Sequence, residues 1–131
     1  MRYEAAVTAI VAAVPNVVAV YLFGSRARGD PRESSDVDLA LLGTKPLDAV
    51  ARFELQEKIA AILHCSVDLV DLRAASTVMR VEVLRDALLL HEGEASERAL
   101  FEATALAAYA RLHEERRMIL EDIERIGRVH G

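Results

Sequence analysis

Two periods run through the hydrophobic and polar positions of this chain. Tyr3 to Val14 is rich in alanine and valine. It is separated by Pro15-Asn16 from the β-branched and apolar run Val17-Val18-Ala19-Val20-Tyr21-Leu22-Phe23. The pattern predicts a helix over 3–14, a turn, and a strand over 17–23 that ends at Gly24. Asp36–Leu42 and Ser66–Leu72 read as two further strands. Between them, Gly43-Thr44-Lys45-Pro46 stops the chain and restarts it, with Thr44 as a cap and Pro46 in the first turn of a helix. Leu47, Ala51, Leu55, Ile59 and Ile62 then recur at helical spacing, with Arg52, Glu54, Glu57 and Lys58 largely outward. A crossover of this length suits strands that are parallel, or separated within a mixed sheet.

Further along, Ser76 is predicted to cap a short helix through Arg85, and Ala87–His91 reads as an edge strand. Gly93 marks a break, and 95–126 reads as one long helix. Its apolar stripe is Phe101, Ala105, Ala108, Leu112, Ile119, Ile123 and Ile126, interrupted by Glu114-Glu115-Arg116-Arg117. About thirty helical residues span roughly 45 Å, more than the width of so small a domain. The helix therefore projects or folds back as two, and its apolar face either packs on its own sheet or docks a partner or a second copy. The expected fold class is α/β: a small mixed sheet of three to five strands flanked by helices, with a core over 1–92 and a C-terminal helical extension over 93–131.

Composition narrows this picture. At 131 residues the chain is of single-domain size, and 53% hydrophobic residues suffice for a core of small aliphatic side chains. There is no tryptophan, and Phe and Tyr number three each, so platforms for stacking bases are few. A formal net charge of -5 argues against direct nucleic-acid binding by phosphate neutralisation. Cys65 is the one cysteine, which rules out an intramolecular disulfide and fits a reducing cytoplasm. The apolar stretch Ala5–Phe23 is not read as a membrane span, because Pro15-Asn16 divides it and Glu4 spoils a signal-peptide start. His64, His91, His113 and His130 are scattered without metal-ligand spacing. Tyr109 reads as an ordinary packing or surface tyrosine rather than a modification site.

The chemistry is concentrated between Gly24 and Asp38. Gly24 permits a sharp turn after a strand. Ser25 offers a hydroxyl and backbone amides where a short helix begins, a setting that attracts phosphate. After a gap of ten residues comes Asp36-Val37-Asp38, whose two carboxylates share one face of the next strand. Such a pair can hold Mg²⁺ through hard oxygen ligands while leaving room for substrate phosphates. A third carboxylate is expected on the Ser66–Leu72 strand. Asp68 lies inside an apolar run, where an unpaired charge is costly. Asp71 faces the other side, nearer the strand end, where it can cap. Alternation favours Asp68 as third ligand and general base. Arg26 and Arg28 either neutralise phosphate charge or are exposed loop charges.

On Gly24, Ser25, Asp36 and Asp38, with Asp68 in Val67-Asp68-Leu69-Val70, the chain resembles the DNA polymerase β-type nucleotidyltransferases. More closely, it resembles the minimal nucleotidyltransferases of the MNT or MntA-like antitoxins. The likeness covers about residues 1 to 92 well. It implies Mg²⁺-dependent transfer of AMP from ATP to a tyrosine hydroxyl of a partner HEPN-domain ribonuclease toxin. It further implies that Asp36 and Asp38 bind both metals, that Asp68 binds the catalytic one, and that Gly24 and Ser25 hold the triphosphate. Alternatives of other classes are a non-catalytic module that masks its partner and a small-molecule nucleotidyltransferase.

Overall fold

The computed structural model describes residues 3–29 and 36–130, with side chains to Gly127. Four strands form one mixed sheet in the order β3-β2-β1-β4. The chain runs α1 (Glu4–Ala13), β1 (Ala19–Phe23), β2 (Val37–Leu42), α2 (Ala49–Leu63), β3 (Val67–Asp71), α3 (Thr77–Arg85), β4 (Leu88–Glu92) and α4 (Ala95–His130). β1 pairs antiparallel with both β2 and β4, and β2 pairs parallel with β3 across the α2 crossover. Among the described residues no helix is long and apolar enough to cross a membrane.

Strand alternation divides the core in two. Val20, Leu22, Val37, Leu39, Leu41, Val67 and Leu69 face α1 and α2, where they meet Ile10, Leu55 and Ile59. Ala19, Tyr21, Ala40, Leu42 and Leu72 face α3 and α4, where they meet Val83 and Phe101. Helices thus cover both faces, which is why β2 reads as a nearly continuous apolar run.

The pattern-based boundaries need several corrections. α2 begins at Ala49, three residues after Pro46, because Asp48 supplies the cap by accepting from the Val50 N–H at 2.8 Å. Arg52 does not point outward. It bends over the edge of β3 and donates to the Leu69 carbonyl at 3.1 Å. Ala51 and Ile62, assigned to the buried stripe, are exposed. Ser76 caps α3 as expected, accepting from the Met79 N–H at 3.1 Å.

α4 is one unbroken helix of 36 residues, about 54 Å long at 1.5 Å per residue. It neither folds back nor stops at Gly127. Phe101 and Ala105 are its buried positions, and every described side chain from Ala110 to Gly127 is exposed. The first three turns are therefore anchored and the remainder projects. The anchor is partly polar. The Tyr21 hydroxyl, on a side chain 2% exposed, donates to Glu102 Oε1 at 2.8 Å. Arg98 donates to the same oxygen at 3.0 Å and to Glu92 at 2.6 Å.

Burial, with Glu102 beside it, pushes the Tyr21 phenol well above its ordinary range. The folded state thus keeps this phenol protonated where the unfolded chain ionises, near pH 10. Its contribution to stability is complete below about pH 10 and declines above it. Tyr21→Phe should flatten that alkaline decline in denaturant titrations. Glu102→Ala should cost more at neutral pH, about 1–3 kcal/mol, because it strands a buried hydroxyl.

Candidate active site

The site forms where three strand ends meet on the α3/α4 face of the sheet. Phe23, the last residue of β1, lies in register with Asp38 of β2, and Asp38 lies in register with Asp68 of β3. The turn after Phe23 therefore starts beside one carboxylate, and the second carboxylate is one strand away, about 4.8 Å in backbone spacing. Asp36 precedes β2 by one residue and is exposed.

Gly24 has φ +75°, a conformation that disfavours L side chains. Its geometry leaves no room for one either, since a Cβ there would collide with the Asp38 carboxylate. The glycine thus brings the backbone of the turn directly against the carboxylate. Its carbonyl accepts from the N–H groups of Ala27 and Arg28 at 3.1 and 3.2 Å. This closes one helical turn over Gly24–Arg28. The leading N–H groups of such a turn, here those of Ser25 and Arg26, have no acceptor within it. Ser25 and Arg26 are half-buried, while Arg28 is exposed.

Burial raises the Asp38 carboxyl above its usual range, with Asp68 and then Asp36 adding to the rise and Arg28 opposing it. Asp38 is therefore close enough to feel both other carboxylates, and Arg28 lies near enough to offset part of their effect on it. Among the described residues no three His, Cys, Asp or Glu side chains form a ready-made cation cage. The donor set nevertheless fits a hard divalent cation, for it consists of carboxylate oxygens crowded by like charge, the condition that a bound cation relieves.

The argument from burial that singled out Asp68 does not hold. Asp68 is exposed, whereas Asp71 is buried at 4%. Asp71 accepts from the Leu47 N–H at 2.7 Å and the Arg73 N–H at 3.1 Å, so it caps the loop ends that follow β2 and β3. Alternation still places Asp68 beside Asp38. An open groove of about 430 Å³ runs along the outer edge of β3 past Asp68, lined also by Arg52, Val70, Ala74 and Met79. Tyr109 is half-buried on α4, with its ring edge-on to His113 at 4.5 Å.

Comparison with known proteins agrees with this geometry. The family described as Polymerase beta, Nucleotidyltransferase matches residues 6–95. The protein adenylyltransferase MntA of Shewanella oneidensis is 39% identical over 110 residues, 84% of this chain and 78% of the relative. A chain from a crystallised toxin–antitoxin with AMP-PNP superposes with a TM-score of 0.85 at 35% identity, covering 94% of this chain and 98% of that one. A chain from the complex of tri-AMPylated Shewanella oneidensis HEPN toxin with MNT antitoxin gives 0.74 at 35% identity, covering 89% and 91%. The chain belongs to the polymerase beta nucleotidyltransferase family, among its MntA-like members.

Proposed function

We propose that this protein is the antitoxin of a toxin–antitoxin pair and transfers AMP from ATP to a tyrosine hydroxyl of a HEPN-domain ribonuclease toxin. The observation that carries the reading is the shared register of Phe23, Asp38 and Asp68. It sets the glycine turn and the carboxylates side by side. The MntA relative and the toxin–antitoxin structures support the acceptor and the nucleotide. The cytoplasm, where ATP is abundant and Cys65 stays reduced, is the compartment in which such a reaction runs.

In this reading Asp36 and Asp38 hold Mg²⁺ and Asp68 completes the set. When bound, Mg²⁺ supplies charge neutralisation for the phosphates and for the attacking and leaving oxygens. The turn at Gly24–Gly29 holds the triphosphate through the Ser25 hydroxyl and the leading amides, with Arg26 and Arg28 adding positive charge. The acceptor oxygen attacks the α-phosphorus, an O–P bond forms, and the bond to pyrophosphate breaks. The phenolic proton passes to the Asp68 carboxylate, which is exposed and open to the groove. The projecting half of α4 offers Ile119, Ile123 and Ile126, each more than half exposed, to the partner.

Three outcomes follow. Asp36→Ala/Asp38→Ala should abolish transfer while leaving the fold intact. Intact mass of the partner after co-expression should show whole AMP increments with the wild type and none with the variant. A variant-treated partner that is still modified sinks the mechanism, and an unmodified partner neutralised equally by both forms makes the chain a masking module. Gly29→Ala meets no neighbour and should cost only about 1–2 kcal/mol of backbone strain. Gly24→Ala should in addition weaken ATP binding, as titration calorimetry would record. Ile119→Glu/Ile123→Glu should keep its melting temperature and ATP affinity but lose co-purification with the toxin.

A further inference from the structure

β3 is an edge strand, so the peptide groups on its outer side have no neighbouring strand. The parallel ladder with β2 uses the peptide groups of even-numbered residues: the Ser66 carbonyl accepts from Val37 N–H, and Leu72 N–H donates to the Leu41 carbonyl. Leu69 therefore turns its N–H and C=O outward. Both are satisfied by side chains of α2. Gln56 Oε1 accepts from the Leu69 N–H at 3.0 Å, and Arg52 Nη1 donates to the Leu69 carbonyl at 3.1 Å. Arg52 Nη1 also donates to Gln56 Oε1 at 3.2 Å, closing the set. Both residues are half-buried, and they stand four apart on one face of α2.

An amide oxygen and a guanidinium thus stand in for the strand that β3 lacks, at the residue immediately after Asp68. We infer that Arg52 and Gln56 are positioning residues for the transfer reaction, holding Asp68 at its place beside Asp38. This rests on the reading of Asp68 as the carboxylate that receives the acceptor proton. The physical reason is that Asp68 is exposed and no hydrogen bond of its side chain restrains it among those described. Its location depends on its backbone. One flank of that backbone is fixed by β2, and the other flank would fray at an open edge. The side-chain bonds to Leu69 remove that freedom. They also block strand addition, keeping the groove past Asp68 clear for an acceptor segment.

The test compares Gln56→Met, which keeps shape but removes the acceptor, with Gln56→Glu, which keeps it. Gln56→Met should lower kcat by about tenfold, the scale typical of groups that orient a ligand from behind. KM for ATP should stay unchanged, because the turn and Asp36/Asp38 bind the nucleotide, and Gln56→Glu should restore kcat. In an Asp68→Ala background Gln56→Met should have no further effect, since both changes act through one group. Amide hydrogen exchange should accelerate at Leu69 in Gln56→Met and not in Gln56→Glu. An unchanged kcat in Gln56→Met, a parallel rise in KM, or additivity with Asp68→Ala overturns the inference. If Asp68→Ala itself keeps full transfer, the reading of Asp68 has failed instead, and the Leu69 exchange rate alone then decides whether the side-chain bonds restrain β3.

Discussion

Everything at the candidate site depends on the register of β2. This strand is hydrogen-bonded on both sides, antiparallel to β1 and parallel to β3, so its side chains have no freedom to trade faces. Asp38 is thereby held against the turn at Gly24 on one side and Asp68 on the other. Like charges in register on neighbouring strands repel, so the arrangement needs an opposing force. Val37, Leu39 and Leu41 provide it, each fully buried on the opposite face. Burial of three such side chains stabilises by roughly 5–9 kcal/mol. A slip of one residue would take all three off the α1/α2 face and turn the carboxylates toward it. Hydrophobic burial on one face of the strand therefore holds the charges together on the other.

The same sheet divides its second face between packing and chemistry. Toward the lower ends of the strands, Ala40, Leu42 and Leu72 pack against α3 and α4; toward the upper ends of β2 and β3, the carboxylates replace them. α4 is attached to the lower half through Phe101, with the guanidinium groups of Arg73 and Arg80 stacked over its ring at 5.1 and 5.0 Å. Beyond that anchor the helix leaves the domain, held by its own hydrogen bonds and by exposed pairs such as Arg117–Glu114. The base of the projecting helix and the carboxylate end of the strands thus share one packed layer.

How much of this was legible differs from residue to residue. The Gly24–Asp38 spacing is local, and its chemistry follows from a turn, a strand and the period of two. The order of elements likewise follows from patterning, whereas crossover length left β2 and β3 either parallel or separated, and the assembled sheet made them a parallel pair. Parity placed Asp68 beside Asp38, as the register has it, but the argument from burial failed, because a charge within an apolar run can still face solvent at an uncovered strand end. Arg52 was turned the wrong way for a related reason. A long side chain on a helix face can reach around the edge of a sheet, and periodicity records only where its Cα lies. Gln56 carried no signal at all, since its partner is a backbone group thirteen positions away.

The sequence alone determined the elements, the two faces of each strand and the local pairing of a glycine turn with two carboxylates, because each of these depends on residues close to one another along the chain. Only the tertiary structure decided that β3 is an edge strand closed by α2, that Asp71 caps while Asp68 stays open, and that α4 continues straight past its anchor. These are settled by which peptide groups remain unpaired after the sheet assembles, a quantity that belongs to the assembled fold and to no segment of the chain.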